Sequence, residues 1–170
     1  EQAVFLDKAK LFAIKAHGNQ MYGEKPYSFH LESVHTSLVE YCPAASEHME
    51  AAAWLHDTIE DTDVTFDDIF REFGRHVARI VFAVTNEEGR NRRERAKRTY
   101  PKIMACGRDA IAVKLADRIA NTTHSLQNNH GLFSMYKKEY PKFKKALHLP
   151  GELKSMWSAL DVLMATEIED

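Results

Sequence analysis

The chain has 170 residues, of which 44% are hydrophobic, and its formal net charge is −2. This length supports one globular domain, and we expect residues 1–170 to form a single one. The small net charge gives no bulk electrostatic reason to bind nucleic acid or an anionic membrane. No apolar run approaches a membrane span of roughly 18 residues and no signal peptide is recognised, so we expect a cytoplasmic protein. Cys42 and Cys106 lack zinc-binding spacing and are expected to be reduced core thiols.

Hydrophobic residues at helical spacing predict an all-α fold. Residues 18–29 are expected to form a turn-rich loop, and Thr65 is expected to cap a short helix that ends at Gly74. No segment shows the alternation of a strand. The other predicted helices cover residues 4–17, 30–41, 47–55, 75–84, 91–105, 109–123, 133–147 and 153–167, with Pro141 interrupting the one over 133–147.

Residues 53–62, Ala-Trp-Leu-His-Asp-Thr-Ile-Glu-Asp-Thr, are the most informative segment. His56 and Asp57 are adjacent, both residue types bind metals, and the Ala-rich helix before them would hold them rigidly. Glu60 and Asp61 follow one helical turn later and share a face with the pair. Clustered acidic groups repel one another unless a cation lies between them, which favours a divalent metal. The alternative is a solvated acidic loop at the end of a helix.

A second polar face lies in residues 112–125. Lys114, Asp117, Asn121 and His124 follow one another at steps of three, four and three, so they share one side of a predicted helix. The opposite side is apolar, which places Asp117 near the core, where a carboxylate needs a partner. That partner is either a metal or a basic neighbour on the same helix. A further histidine, His30, follows a Pro-Tyr turn, where it could be a ligand, a cap or a core residue.

Together these motifs resemble those of HD-domain metal-dependent phosphohydrolases, which have an all-α helical-bundle fold. The order of His30, the His56–Asp57 pair and Asp117 matches the H…HD…D pattern of that family. Residues 23–30, 55–62 and 113–121 are similar to the hydrolase domains of RelA/SpoT alarmone enzymes and of small SpoT-like hydrolases. The resemblance covers most of residues 1–125.

The resemblance implies one divalent metal bound by His30, His56, Asp57 and Asp117. Manganese is the expected ion, and iron, cobalt or zinc also suit a set of two imidazoles and two carboxylates. It further implies that Glu60 and Asp61 align and activate the attacking water. Other residues are expected to bind the substrate: Lys114, Asn121, Tyr22, Lys25, Arg92 and Arg93.

Residues 20–25 depart from the resembling hydrolases, which carry a basic pair before the Gly-x-Pro-Tyr turn. This chain has Gln20, Met21 and Tyr22 there, with Lys25 inserted before Pro26. Tyr22 could stack on a base, but the basic clamp for guanine is missing. We therefore expect a purine nucleotide to be bound with little preference between guanine and adenine. Leu31 and His124 also replace a proline and a threonine of that family.

Residues 89–98 form the most basic stretch of the chain. It is either a solvated helix face or a mobile basic lid over the phosphates of the substrate. Aromatic platforms for nucleic acid are lacking nearby. We therefore expect a nucleotide phosphohydrolase acting on a (p)ppGpp- or (p)ppApp-like 3′-diphosphate. The alternatives are an HD 5′-nucleotidase or dNTP triphosphohydrolase, and a non-catalytic nucleotide sensor. The sequence makes no prediction of an oligomeric state.

Overall fold

The computed structural model describes residues 2–169, with side chains from Val4 onward. An antiparallel hairpin of β1 (Met21–Tyr22) and β2 (Lys25–Pro26) lies between the first two helices. All other regular elements are helical, which confirms the all-α class. The helices are α1 (Gln2–His17), α2 (Tyr27–Tyr41), α3 (Glu47–Leu55), α4 (Thr58–Asp61), α5 (Phe66–Phe73), α6 (Arg75–Val84), α7 (Arg92–Cys106), α8 (Arg108–Asn128), α9 (His130–Leu147) and α10 (Lys154–Ala165).

The hairpin is a difference from the loop predicted for residues 18–29. Gly23 makes the tight connection between the strands with a φ of +60°, a conformation that a residue without a Cβ adopts readily. Pro26 ends the second strand in an extended conformation, and α2 begins at Tyr27, earlier than the predicted start near His30. His30 therefore lies in the first turn of α2, close to the hairpin.

Helix α8 is the centre of the fold, and it packs against α2, α3, α6, α7, α9 and α10. Its apolar side includes Ile111, Leu115 and Ala116, all fully buried. The helix continues past residue 123, its predicted end, because Thr122 and Ser125 are buried and their hydroxyls donate to carbonyls of the same helix. One long, rigid element thus carries the predicted polar face into the interior.

The predicted interruption of α9 at Pro141 is wrong. The helix is continuous from His130 to Leu147, and the Asn129 side chain caps its first turn. Pro141 is exposed, so water can reach the Lys137 carbonyl, the group that a residue with an N–H would have bonded. The predicted cap at Thr65 is confirmed and forms a full capping box with Asp68.

Most helices share one apolar core, and a smaller cluster of Phe133, Tyr136 and Met164 joins α9 to α10. Cys42 lies in the main core, as predicted. Cys106 is half-buried at the end of α7, so the prediction of a core thiol is wrong there; both cysteines are free. In the described part of the chain, no helix combines the length and hydrophobicity needed to cross a membrane.

Candidate active site

Three separate parts of the chain bring four ligand-type side chains together. His30 comes from the first turn of α2, His56 and Asp57 from the junction of α3 and α4, and Asp117 from the middle of α8. His30 Nε2 lies 3.1 Å from Asp117 Oδ1 and 3.7 Å from Asp57 Oδ2. His56 Nε2 lies 2.9 Å from Asp57 Oδ2 and 3.3 Å from Asp117 Oδ1. The four side chains share one small, largely buried space.

The orientation of His56 indicates what this space can hold. Its Nδ1–H donates to the Ala53 carbonyl at 2.8 Å, which turns Nε2 towards the two carboxylates. Nε2 is buried and has no hydrogen-bond partner among the described residues, although carboxylate oxygens lie close to it. Two ionised carboxylates beside a neutral imidazole would be unfavourable unless a proton or a cation balanced their charge. Ligand atoms of His30, His56 and Asp117 lie within 4.8 Å of one another, so the cluster suits a metal ion.

The ionisation of the cluster supports the same conclusion. Burial favours the neutral form of His56, but the carboxylates of Asp57 and Asp117 outweigh it and raise the imidazole pKa well above its ordinary value. Burial would also raise the pKa of Asp117, yet Lys114 and the two histidines hold it well below its usual range. The buried carboxylates are therefore ionised and require positive charge beside them. Two imidazoles and two carboxylates can bind a divalent cation, which supplies this positive charge in place of a proton on His56.

Hydrogen bonds from two tyrosines orient the acidic side chains, one directly and the other through Asn121. The Tyr27 hydroxyl donates to Asp57 Oδ2 at 2.5 Å. The Tyr22 hydroxyl donates to Asn121 Oδ1 at 2.7 Å, and Asn121 Nδ2 in turn donates to Asp117 Oδ1 at 3.0 Å. Such contacts orient metal-binding side chains. Asn121, predicted to bind the nucleotide, thus has its amide engaged with two protein side chains.

Tyr22 lines the cavity beside the cluster, but one face of its ring is already occupied. It stacks on His30 with ring centroids 4.5 Å apart and an interplanar angle of 15°. His124 approaches the same ring at 4.9 Å and lies outside the cavity lining. Tyr22 therefore supports His30 directly, in addition to its predicted place beside the substrate.

Glu60 and Asp61 differ in their surroundings. Glu60 lines the cavity, and its carboxylate accepts hydrogen bonds from the backbone N–H of Asn86 at 2.7 Å and from the Asn86 side chain at 3.4 Å. Burial raises the pKa of Glu60 above its ordinary value. Asp61, which is exposed like Glu60, lies outside the cavity lining and accepts a hydrogen bond from Gln20 at 3.1 Å. Glu60 is the better placed of the two to accept a proton within the cavity.

The basic side chains of the cavity are only partly those predicted. Lys114 lines it, with Nζ 3.5 Å from Asp117 Oδ2, and Arg92 lies at its edge. Arg93 does not reach the cavity: it is the next residue on α7, about 100° further round the helix, and points to solvent. Lys25 is also absent from the lining; its ammonium lies 5.3 Å from the Phe29 ring centroid.

Several cavity residues were not predicted individually from the sequence. Arg95 was predicted only as part of the basic stretch 89–98. Arg118 adds a further positive charge, and Tyr136 and Glu139 bring α9 to the wall. Arg118 directly follows Asp117, and a basic neighbour there was expected only as a partner for that carboxylate. The cavity thus combines the cluster of His30, His56, Asp57 and Asp117 (the metal-type cluster) with a set of cations.

Comparison with known proteins agrees with this geometry. Residues 9–132 match the HD domain family. The chain belongs to the HD-domain family.

Among curated relatives, the zebrafish (Danio rerio) guanosine-3′,5′-bis(diphosphate) 3′-pyrophosphohydrolase MESH1 is 36% identical over 122 residues, covering 70% of this chain and 67% of that protein. The Drosophila melanogaster MESH1 is 36% identical over 99 residues, covering 58% of this chain and 55% of that protein. The guanosine-3′,5′-bis(diphosphate) 3′-pyrophosphohydrolase of Aquifex aeolicus is 36% identical over 126 residues, which are 71% of this chain and 18% of that protein.

A solved structure of a metazoan ortholog of SpoT, described as hydrolysing ppGpp, also has this fold. It superimposes with a TM-score of 0.80 at 26% identity, covering 94% of this chain and 93% of that one. The similarity therefore extends beyond the aligned sequence motifs to nearly the whole described fold, including the C-terminal helices.

Proposed function

We propose that this protein is a metal-dependent nucleotide phosphohydrolase that removes the 3′-diphosphate from a (p)ppGpp- or (p)ppApp-like nucleotide. The proposal rests on two features that occur together in one cavity. The buried His30–His56–Asp57–Asp117 cluster and the cations Lys114, Arg92, Arg95 and Arg118 line the same cavity. The names of the relatives point to the same substrate class.

His30, His56, Asp57 and Asp117 would hold the divalent cation, for which manganese stays the predicted identity. When bound, such a cation lowers the pKa of a water molecule and withdraws charge from a phosphoryl oxygen. His56 is suited to this role because its Nδ1–H is fixed on the Ala53 carbonyl and its Nε2 faces the cluster. Tyr27 fixes Asp57 through its hydroxyl.

Glu60 is the side chain to which we assign proton transfer. Its carboxylate lies in the cavity, is oriented by Asn86, and has a pKa raised by burial towards the range of an effective general base. Asp61 we assign to alignment of the water from the edge of the site, where Gln20 holds it. Lys114 faces the reacting end, because it approaches Asp117 from the cavity side, and can meet a phosphate oxygen there.

The experiment that tests the function is turnover of a nucleotide panel. The purified protein with Mn²⁺ is incubated with ppGpp, ppApp, dNTPs and 5′-monophosphates, and the products are separated by chromatography. We expect release of pyrophosphate from ppGpp and ppApp at similar rates. Turnover of dNTPs or 5′-monophosphates alone would instead assign a 5′-directed activity. Tight binding without turnover of any nucleotide would assign a sensor. The cytoplasmic location and the single-domain organisation stay predictions.

A further inference from the structure

The cavity wall includes a network of three charged residues from three helices. Arg118 on α8 and Arg92 on α7 both contact Glu139 on α9. All three line the cavity. None of them belongs to the metal-type cluster or to the residues assigned above to proton transfer. Of the three, only Glu139 has no role in the proposed function.

Arg118 is the buried member of this network. Its side chain is 5% exposed, and its guanidinium lies 4.8 Å from the Tyr136 ring centroid and 4.2 Å from that of Phe143. Among the described residues, Glu139 is the carboxylate within ion-pair distance, with Arg118 Nη1 at 3.4 Å from Oε1. A buried guanidinium between two rings is already fixed in place. Arg118 therefore anchors Glu139.

Arg92 is the exposed member, since its side chain is 45% exposed at the start of α7. It donates to Glu139 through two nitrogens, Nε at 2.5 Å and Nη2 at 3.2 Å. This two-point contact fixes the plane of the guanidinium, which a single contact would leave free to rotate. Nη1 of Arg92 makes no hydrogen bond with a described residue and stays available for an anion.

We propose that Glu139 is a positioning residue that holds Arg92 at the cavity edge to receive a phosphate group of the substrate. The buried Arg118 holds Glu139 in place, and Glu139 in turn orients the exposed Arg92. One carboxylate against two guanidinium groups leaves a net positive charge facing the cavity. Glu139 therefore orients Arg92 without cancelling its attraction for an anion. This inference rests on the proposed function, because it assumes that a polyanionic nucleotide occupies the cavity.

The test begins with Glu139→Gln, which keeps the shape of the side chain and removes its charge. We expect KM for ppGpp to rise about five- to tenfold, with kcat changed less than twofold, because Arg92 binds the ground and transition states alike. Glu152→Gln is the matched control: it breaks the 2.8 Å ion pair with Arg108, outside the cavity. If Glu139 had a purely structural role, Glu139→Gln would lower the melting temperature and leave KM unchanged. An unchanged or lowered KM would overturn the proposal.

A double-mutant cycle with Arg92→Gln tests whether Glu139 acts through Arg92. We expect the double variant to have nearly the KM of Arg92→Gln alone, since the second change removes support for a group already lost. Additive effects on KM would contradict the proposal. If Glu139→Gln does not fold, Glu139→Asp serves instead, because it keeps a charge beside Arg118 but withdraws the carboxylate from Arg92. An unchanged KM in the Glu139→Asp variant would equally overturn the proposal.

Binding of ppGpp to the metal-free protein, measured by calorimetry in EDTA, separates this inference from the proposed function. If the wild-type protein binds ppGpp but hydrolyses nothing, the proposed activity fails while Glu139→Gln is still expected to raise Kd about five- to tenfold. If the wild-type protein hydrolyses ppGpp and Glu139→Gln changes neither KM nor Kd, the activity stands and the positioning role of Glu139 fails.

Discussion

Tyr27 and Asp57 are joined by a hydrogen bond of 2.5 Å from the phenol to Oδ2, the oxygen that also lies 2.9 Å from His56 Nε2. The Tyr27 ring is fixed in turn by stacking on His17, with centroids 4.6 Å apart. Burial and the adjacent carboxylate raise the pKa of Tyr27 above its ordinary value, so the phenol stays protonated and donates. This tyrosine from the start of α2 therefore sets the orientation of an aspartate from the junction of α3 and α4.

We expect Tyr27→Phe to weaken Mn²⁺ binding about 10- to 100-fold, because the carboxylate of Asp57 loses the donor that orients it. Calorimetric titration of the metal-free protein with Mn²⁺ measures the change. Tyr41→Phe, which removes a phenol at the end of the same helix and outside the cavity, is the matched control. Equal affinity in the Tyr27 variant and the wild type would show that Asp57 is held by other means.

Asp117→Ala is expected to abolish stoichiometric metal binding. The change removes the one α8 carboxylate that contacts both histidines, at 3.1 Å and 3.3 Å. Elemental analysis of the purified variant measures its metal content, and circular dichroism checks its fold. Asp109→Ala is the control on the same helix, since Asp109 pairs with His76 away from the cavity. A folded Asp117 variant with full metal content would contradict the assignment.

Glu60→Gln and Asp61→Asn are each expected to lower kcat about 10²- to 10⁴-fold while metal content and fold are retained. For Glu60 the pH profile adds a second readout. A general base acts in its ionised form, so kcat should fall as the pH drops through the pKa of Glu60, which burial raises above that of a free glutamate. Glu60→Gln should remove this acid limb. Near-normal turnover in both variants would mean that the water is activated elsewhere.

Arg92→Gln and Arg93→Gln form a matched pair on adjacent positions of α7. We expect the first to raise KM about tenfold and the second to leave it within twofold, because only Arg92 reaches the cavity. Steady-state kinetics at constant ionic strength measure both. Equal effects of the two variants would indicate a general attraction of the basic stretch for the substrate and no specific contact.

Most of the metal-type cluster was predictable because its residues carry their own signal, whereas His30 was assigned only through the resemblance to the H…HD…D pattern. His56 and Asp57 are adjacent in the sequence, and Asp117 is a carboxylate on an otherwise apolar helix side. Local spacing also placed Lys114 correctly on the same face as Asp117. In each case, the information lies within one helix or one short segment.

The cationic part of the cavity lining was less predictable because it depends on how α9 packs against α7 and α8. Nothing local to Glu139 indicates that two arginines, 47 and 21 residues earlier in the chain, will meet there. Arg93 was included with Arg92 because sequence adjacency does not separate two positions that a helix turns about 100° apart. Contacts between distant segments, rather than residue types, decide this part of the site.

The arrangement of the cluster gives a bound cation a mechanical role in folding. His30 and Asp117 lie 87 residues apart in the chain, and the short polar contact between them crosses from α2 to α8. A metal held by both would close that loop as a crosslink does, and because an unfolded chain has no such site, the free energy of binding adds to the stability of the native state. Chelation should therefore lower the melting temperature, and the loss should scale with the logarithm of the free metal concentration. Metal supply would then affect how readily this protein is cleaved by proteases, because a more stable native state opens less often.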